Sequence, residues 1–228
     1  MPLIRFMRDQ NGGVLVEASI LIPIIFIFVL GAVDFLFYFY QSNLAAKAVE
    51  RGARIAAVSD PVATGLAVLS SAVVNNTTVK QGDPMPASAT FTVTCDGGTS
   101  PPTCTCAGAC TGFVAGGDQR AMNHIICGRD NTSTTECNYA TQCSQSDYYF
   151  RGMCDIFSRI RQANVTVAYT QSGLGYAGAP MPVPTITVSL KNNLPVQYFF
   201  LAGLLHFAAN FPSQATTVTG EVLSSALQ

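Results

Sequence analysis

The apolar and polar positions fall into stretches with different periods along the chain. From Gly12 to Tyr40 the sequence "GGVLVEASILIPIIFIFVLGAVDFLFYFY" is apolar apart from Glu17, Ser19 and Asp34. As a helix, residues 14–40 would rise about 40 Å, against roughly 30 Å of bilayer hydrocarbon. Helical spacing continues beyond it in "QSNLAAKAVERGARIAAVSDP". Leu44, Ala45, Ala48, Val49, Gly52, Ala53, Ile55 and Ala56 form a stripe of small and apolar residues, and Lys47, Glu50, Arg51 and Arg54 fill the other face. Such a stripe lets another backbone approach closely. Asp60-Pro61 ends the pattern, because proline disfavours a helical residue before it. From Val14 to Val58 the helix would extend about 67 Å, so half of it lies in water or against protein.

Downstream, the periods are shorter. Val62–Val74 has helical spacing, with Asp60 as its N-cap and Pro61 in its first turn. Alternation predicts strands at Ala89–Cys95, Val165–Thr170, Thr185–Lys191 and Ala215–Leu223. Tyr148–Arg161 reads as a helix capped by Ser146. Residues 96–145, rich in Gly, Thr, Ser, Asn and Cys, read as tethered loop. The apolar stretch Leu194–Phe211 is short and broken by Gln197, His206 and Asn210, so it reads as a buried or membrane-surface helix rather than a second span. The expected class is α+β: a long N-terminal membrane helix, a small antiparallel sheet, and a disulfide-rich loop insertion.

Composition supports a membrane-associated chain. Only 11% of the 228 residues are charged and 49% are hydrophobic, with a net charge of −1. That balance offers no basic face for nucleic acid. The eight cysteines, Cys95, Cys104, Cys106, Cys110, Cys127, Cys137, Cys143 and Cys154, are clustered and even in number. Beside a membrane segment they point to an oxidising compartment and a disulfide framework. The alternative is a metal site on Cys104, Cys106, Cys110, His124 and Cys127, but no paired C-x2-C spacing is present, and no metal or other cofactor is expected. Connectivity stays open, since the spacing does not choose a pairing.

The N-terminal stretch resembles a type IV prepilin: basic residues, a glycine, then an apolar helix with an early glutamate. Counted from Gly13, Glu17 is the fifth residue, so a cut between Gly12 and Gly13 fits the pattern. More narrowly, Val16-Glu17, Pro23, Gly31-x-x-Asp34 and the Ala-rich, Arg-bearing helix Ala45–Ala56 resemble the TadE-like minor pseudopilins of the tight-adherence pilus machinery. The tail "LGYAG…VPTITVSL…TTVTGEVL" is also similar, more weakly. The resemblance implies a pilin-like fold, a prepilin peptidase as processing partner, and other pilins or pseudopilins as packing partners through the helix. It also implies that the Glu17 carboxylate pairs with the terminal amine, typically of a neighbouring subunit.

These readings divide the chain into a cytoplasmic leader 1–12, a long helix 13–58, a helix and first strand 59–94, a cysteine-rich insertion 95–154, and a C-terminal sheet portion 155–228. A carboxylate at a membrane helix centre costs about 2.5–3.5 kcal/mol, so Glu17 needs a partner or an interfacial position. Pro23 removes the hydrogen bond to the Ser19 carbonyl and is expected to kink the span, with the Ser19 hydroxyl able to compensate. Asp34 is either a functional intramembrane acid or a side chain snorkelling to the outer interface. Arg5 and Arg8 precede the span while Lys47, Arg51 and Arg54 follow it, so the positive-inside count leaves orientation open. The cysteines and the leader place the N-terminus in the cytoplasm, the span in the bacterial inner membrane, and the rest in the periplasm, with entry into a surface pilus open.

No catalytic motif is present. The leading reading is a processed, structural pseudopilin. The others are an uncleaved, membrane-anchored and disulfide-stapled binding domain outside the cytoplasm, and a tethered periplasmic enzyme.

Overall fold

The computed structural model describes residues 10–69, 79–80, 82–128, 133–143, 151–171, 173, 176–177, 184–200 and 209–220. The chain divides into two compact units, Met1–Gln41 with Pro195–Ala209, and Ser42–Leu194 with Asn210–Gln228. The first helix, α1, runs without a break from Gln10 to Val58 and contributes to both.

In the first unit α1 carries an apolar surface that its own chain leaves uncovered. Leu15, Ile20, Leu21, Ile24, Phe26 and Phe28 are all exposed. Among the described residues this is the one helix long and apolar enough to cross a membrane.

In the second unit the continuation of α1 is buried along one stripe, at Ala45, Ala48, Val49, Gly52, Ala53, Ala56 and Ala57. The small-residue face does admit a close neighbour. A Cβ on Gly52 would run into the Met153 side chain and touch Ile125. On the flank, Arg51 Nε donates to the Arg151 carbonyl at 3.0 Å.

Among the described residues, five antiparallel strands make the sheet: β1 (Phe91–Asp96), β2 (Thr103–Gly108), β3 (Val165–Gln171), β4 (Thr185–Leu190) and β5 (Gln214–Thr219), in the order β2-β1-β3-β4-β5. Period-two alternation buries Phe91, Val93 and Cys95 on β1, Val165, Val167 and Tyr169 on β3, and Ile186, Val188 and Leu190 on β4. Register aligns the large members, with Val93 opposite Tyr169 and Tyr169 opposite Ile186. The Tyr169 hydroxyl accepts from the Val62 N–H at 2.9 Å. Burial pushes this phenol well above its usual value, and the hydrogen bond only partly offsets that.

Two expected helices are not formed over the range their sequence suggests; residues 70–74 of the first and 148–150 of the second lie outside the described residues. The turn after α1 is helical only from residue 66 among the described residues, because 62–64 are drawn into other pairings. Asp118 N–H donates to the Val62 carbonyl and Thr64 N–H to the Gly116 carbonyl. With the helix beginning at residue 66, Asp60 does not occupy its N-cap position. In place of a helix over Tyr148–Arg161, the described part holds only α4, Met153–Ile156. Phe157 is extended, and Asn164 Oδ1 accepts from Arg161 N–H to start a separate turn at Gln162–Asn164. Ser146 lies outside the described residues.

The region expected to be loop contains structure. It supplies the edge strand β2, the helix α2 (Gln119–Cys127) and the short helix α3 (Tyr139–Gln142). Asp118 caps α2 by accepting from Arg120 and Ala121 N–H, and Gly128, at φ 94°, ends it. A buried amide network ties α2 to its surroundings: Gln119 Nε2 donates to Asn123 Oδ1 and Gln162 Oε1, and Gln162 Nε2 donates to the Thr99 carbonyl. Asn123 Nδ2 reaches the Ser133 and Thr135 carbonyls.

Residues 201–208 of the expected Leu194–Phe211 helix lie outside the described residues, and the parts on either side, 194–200 and 209–211, are not helical. Val196 N–H donates to the Ala209 carbonyl and Phe211 N–H to the Leu194 carbonyl. The two ends therefore meet, which excludes a straight second span. β5 begins one residue earlier than expected and stops at Thr219; residues 221–223 of that expectation lie outside the described residues.

Candidate functional site

The candidate processing, register and intramembrane-acid residues lie along the first half of α1. Gly12 and Gly13 are both within the helix, with open space around Gly13. Glu17, one turn further on, is exposed among Val14, Leu15, Val16 and Ile20, all exposed as well. The carboxylate therefore sits on a surface otherwise suited to lipid or to another apolar helix.

Pro23 is accommodated inside α1. The Ser19 hydroxyl donates to the Val16 carbonyl at 2.8 Å. It is therefore engaged one turn back along the helix, and the expected compensation at Pro23 by this hydroxyl is not the arrangement found.

Asp34 is the one acid of this segment that is fully buried. Its Oδ1 accepts from Phe199 N–H at 2.8 Å and from Phe200 N–H at 3.3 Å, and its Oδ2 accepts from Phe200 N–H at 3.0 Å. Two turns on, Gln41 Nε2 donates to the Gln197 carbonyl at 2.8 Å, and Gln41 Oε1 accepts from Gln197 N–H at 3.3 Å. Between them the Phe37 and Phe199 rings lie 4.4 Å apart. Asp34 thus holds the turn at Phe199–Phe200 by its backbone. Its burial beside backbone donors explains how an acid is accommodated in this helix. Gln41 was missed by sequence reading. The signal available was a second polar residue, seven positions after Asp34, on the same face of the helix.

All eight cysteines are paired, as Cys95–Cys104, Cys106–Cys110, Cys127–Cys137 and Cys143–Cys154. Cys95 and Cys104 are register partners on β1 and β2, so the first bridge staples the sheet edge. Cys127 Sγ lies 3.8 Å from Cys143 Sγ and 3.7 Å from Cys154 Sγ. These three sulfurs are close enough to hold an ion, but each is engaged in a cystine, so the cluster is two disulfides packed side by side. Cys104, Cys106 and Cys110, the thiols of the alternative metal set, are likewise consumed by bridges.

Residues 12–54 match the family model described as TadE-like protein. No curated protein and no solved structure matches the chain. The match runs along α1, through Glu17, Pro23 and Asp34, and ends before the sheet. The TadE-like resemblance of this helix is thereby established.

Proposed function

We propose that this chain, TadE-like through its N-terminal helix, is a minor pseudopilin that takes part in assembly or function of a tight-adherence pilus. The observation that carries the reading is α1 itself. It is a long helix whose apolar surface is left bare by its own chain, with one exposed carboxylate four residues after Gly13. An apolar surface of that extent requires lipid or other helices around it.

In this reading a prepilin peptidase cuts between Gly12 and Gly13. The new terminal amine carries positive charge at the membrane surface, one turn before Glu17. In lipid the unpaired carboxylate costs about 2.5–3.5 kcal/mol, and a neighbouring subunit's amine offsets that only when the two helices stand at one axial offset. Glu17 is then a register residue. Pro23 lies in the same exposed, apolar stretch of α1, where a kink would adjust how helices pack. The bacterial inner membrane holds residues 14–40, with the N-terminus cytoplasmic and the four-disulfide sheet unit in the oxidising periplasm. The partners are the peptidase, the membrane, and other pilins or pseudopilins.

The test is the Glu17→Ala chain expressed in its native host beside the remaining pilus subunits. Loss of co-purification with those subunits, while membrane insertion and all four disulfides persist, supports the register role. Undiminished co-purification sinks it.

A further inference from the structure

We infer that the turn Gln197–Phe200 is a second membrane contact of this chain, seated in the interfacial layer of the leaflet away from Gly13 and docked onto α1 by Asp34 and Gln41. The occupant of its exposed aromatic face is phospholipid. The inference rests on α1 crossing the bilayer and is independent of cleavage.

Position along the helix is the first argument. Counting from Val14, a hydrocarbon core of roughly 30 Å takes about 20 residues of helix and ends near Val33. Asp34 follows immediately, at the level where aromatic side chains concentrate at membrane surfaces, and Gln41 lies about two turns further out. Phe35, Leu36, Phe39 and Tyr40 of α1 are exposed there. Phe199 (64% exposed) and Phe200 (42%) join the same band, with Phe37 in contact with Phe199. Ring contacts from Tyr40 to Phe37, Phe37 to Phe199 and Phe199 to Phe200 thus join the outer side of α1 to the turn within a single compact unit.

The second argument is backbone satisfaction. A non-helical segment enters a layer poor in water only where its N–H and C=O groups have partners. Here Val196 N–H is taken by the Ala209 carbonyl, Gln197 N–H and C=O by the Gln41 amide, and Phe199 and Phe200 N–H by the Asp34 carboxylate. Water needs to supply none of these bonds. A turn designed for aqueous exposure gains little from spending a buried carboxylate and a buried amide on its backbone while leaving two phenylalanines outside.

The chain contains no tryptophan, so a single introduced indole reports without background. The full-length chain carrying Phe199→Trp is reconstituted alone into phosphatidylcholine–phosphatidylglycerol vesicles, some with lipids brominated high on the acyl chain and some brominated near its end. Phe26→Trp serves as the control for the span. The inference expects blue-shifted emission from the Phe199→Trp indole, at least twofold stronger quenching by the shallow bromines than by the deep ones, and at least threefold protection from iodide relative to a free indole. The Phe26→Trp indole is expected to prefer deep bromines. Iodide quenching of the Phe199→Trp indole with no response to brominated lipid overturns the inference. So does protection from iodide without lipid quenching, which means that protein covers the turn. If the Phe26→Trp indole also ignores the lipid, α1 does not span and both readings fall together. Adding Asp34→Ala is expected to remove the shallow quenching while leaving the Phe26→Trp control unchanged; if the quenching persists, Asp34 does not dock the turn.

Discussion

Asp34 and Phe199 are 165 positions apart, yet the carboxylate of one accepts the backbone N–H of the other at 2.8 Å. This bond, with those from Phe200, converts an acid in an apolar helix into the anchor of a loop from the far end of the chain.

Replacing Asp34 with alanine strands both N–H groups. A buried donor without a partner costs about 1–3 kcal/mol, so local opening is expected to become roughly 10–100-fold more frequent. Hydrogen exchange at the Phe199 and Phe200 amides reads this directly. Asp34→Asn keeps one acceptor and should fall between the two, and exchange unchanged in Asp34→Ala would contradict the anchoring.

A second expectation concerns a tightly packed glycine of the cysteine-rich region. Gly152 precedes α4, and a Cβ there would lie inside contact distance of the Ile126 carbonyl oxygen and the Gly128 nitrogen. Both are backbone atoms at the end of α2, which a side-chain rotation cannot relieve. Gly152→Ala should therefore destabilise the folded chain by about 1–3 kcal/mol, measured by thermal melting in detergent.

The paired cystines carry a third. The Cys127–Cys137 bridge closes a sequence separation of 10, worth about 2–3 kcal/mol by chain entropy, so replacing both residues with alanine should lower stability by that amount. Cys137→Ala alone is different. It leaves a Cys127 thiol 3.8 Å and 3.7 Å from the two sulfurs of the neighbouring bridge. Thiol–disulfide exchange is then expected, giving Cys127–Cys143 or Cys127–Cys154 species in peptide maps of the single variant and none in the double.

Two carboxylates give stability contributions of opposite sign with pH. Partial burial raises the Asp96 carboxyl, but the Lys191 ammonium and the Gly98 N–H outweigh it and hold the group below its ordinary 3.8. Its contribution is present above 3.8 and is lost as the pH falls through the lowered folded value. Asp96 is half exposed, so the effect is under about 1 kcal/mol. Lys191→Met should remove it. Burial instead raises the Asp155 carboxyl above 3.8, with the Gly152 N–H and Arg151 opposing. Its contribution is present below 3.8 and is lost as the pH rises through the raised folded value. Urea titrations of Lys191→Met and Asp155→Asn across that acid range should deviate from the parent in opposite directions.

The sequence made α1 legible because its period and its length are both long, and residues 12–54 match the TadE-like model. Four of the five strands could be read from alternation, since "FTVTCD", "VTVAYTQ", "TITVSL" and "QATTVT" switch faces residue by residue. The strand β2, "TCTCAG", hid among threonines and cysteines because it buries little beyond Cys104 and is held by its partner and a disulfide. A local signal did exist for α2: Asp118 as a cap, then Ala121, Met122, Ile125 and Ile126 at helical spacing, then Gly128. It was masked by the Gly- and Asn-rich surroundings. The Asp34 acid stood out in the sequence, but its partners are backbone groups of a non-helical turn, which carry no residue-type signature. The pairing of Leu194 with Phe211 and of Val196 with Ala209 is likewise set by backbone bonds and not by hydropathy.

The central claim is that α1 is a processed pseudopilin helix, and the N-terminal residue of the membrane-extracted chain from its native host tests it most directly. Sequencing together with intact mass, before and after reduction, is expected to give a chain beginning at Gly13 with all eight cysteines oxidised. A chain that still carries Met1–Gly12 would contradict the claim. It would leave Glu17 as an ordinary acid near the membrane surface and the protein as an anchored, disulfide-stapled domain.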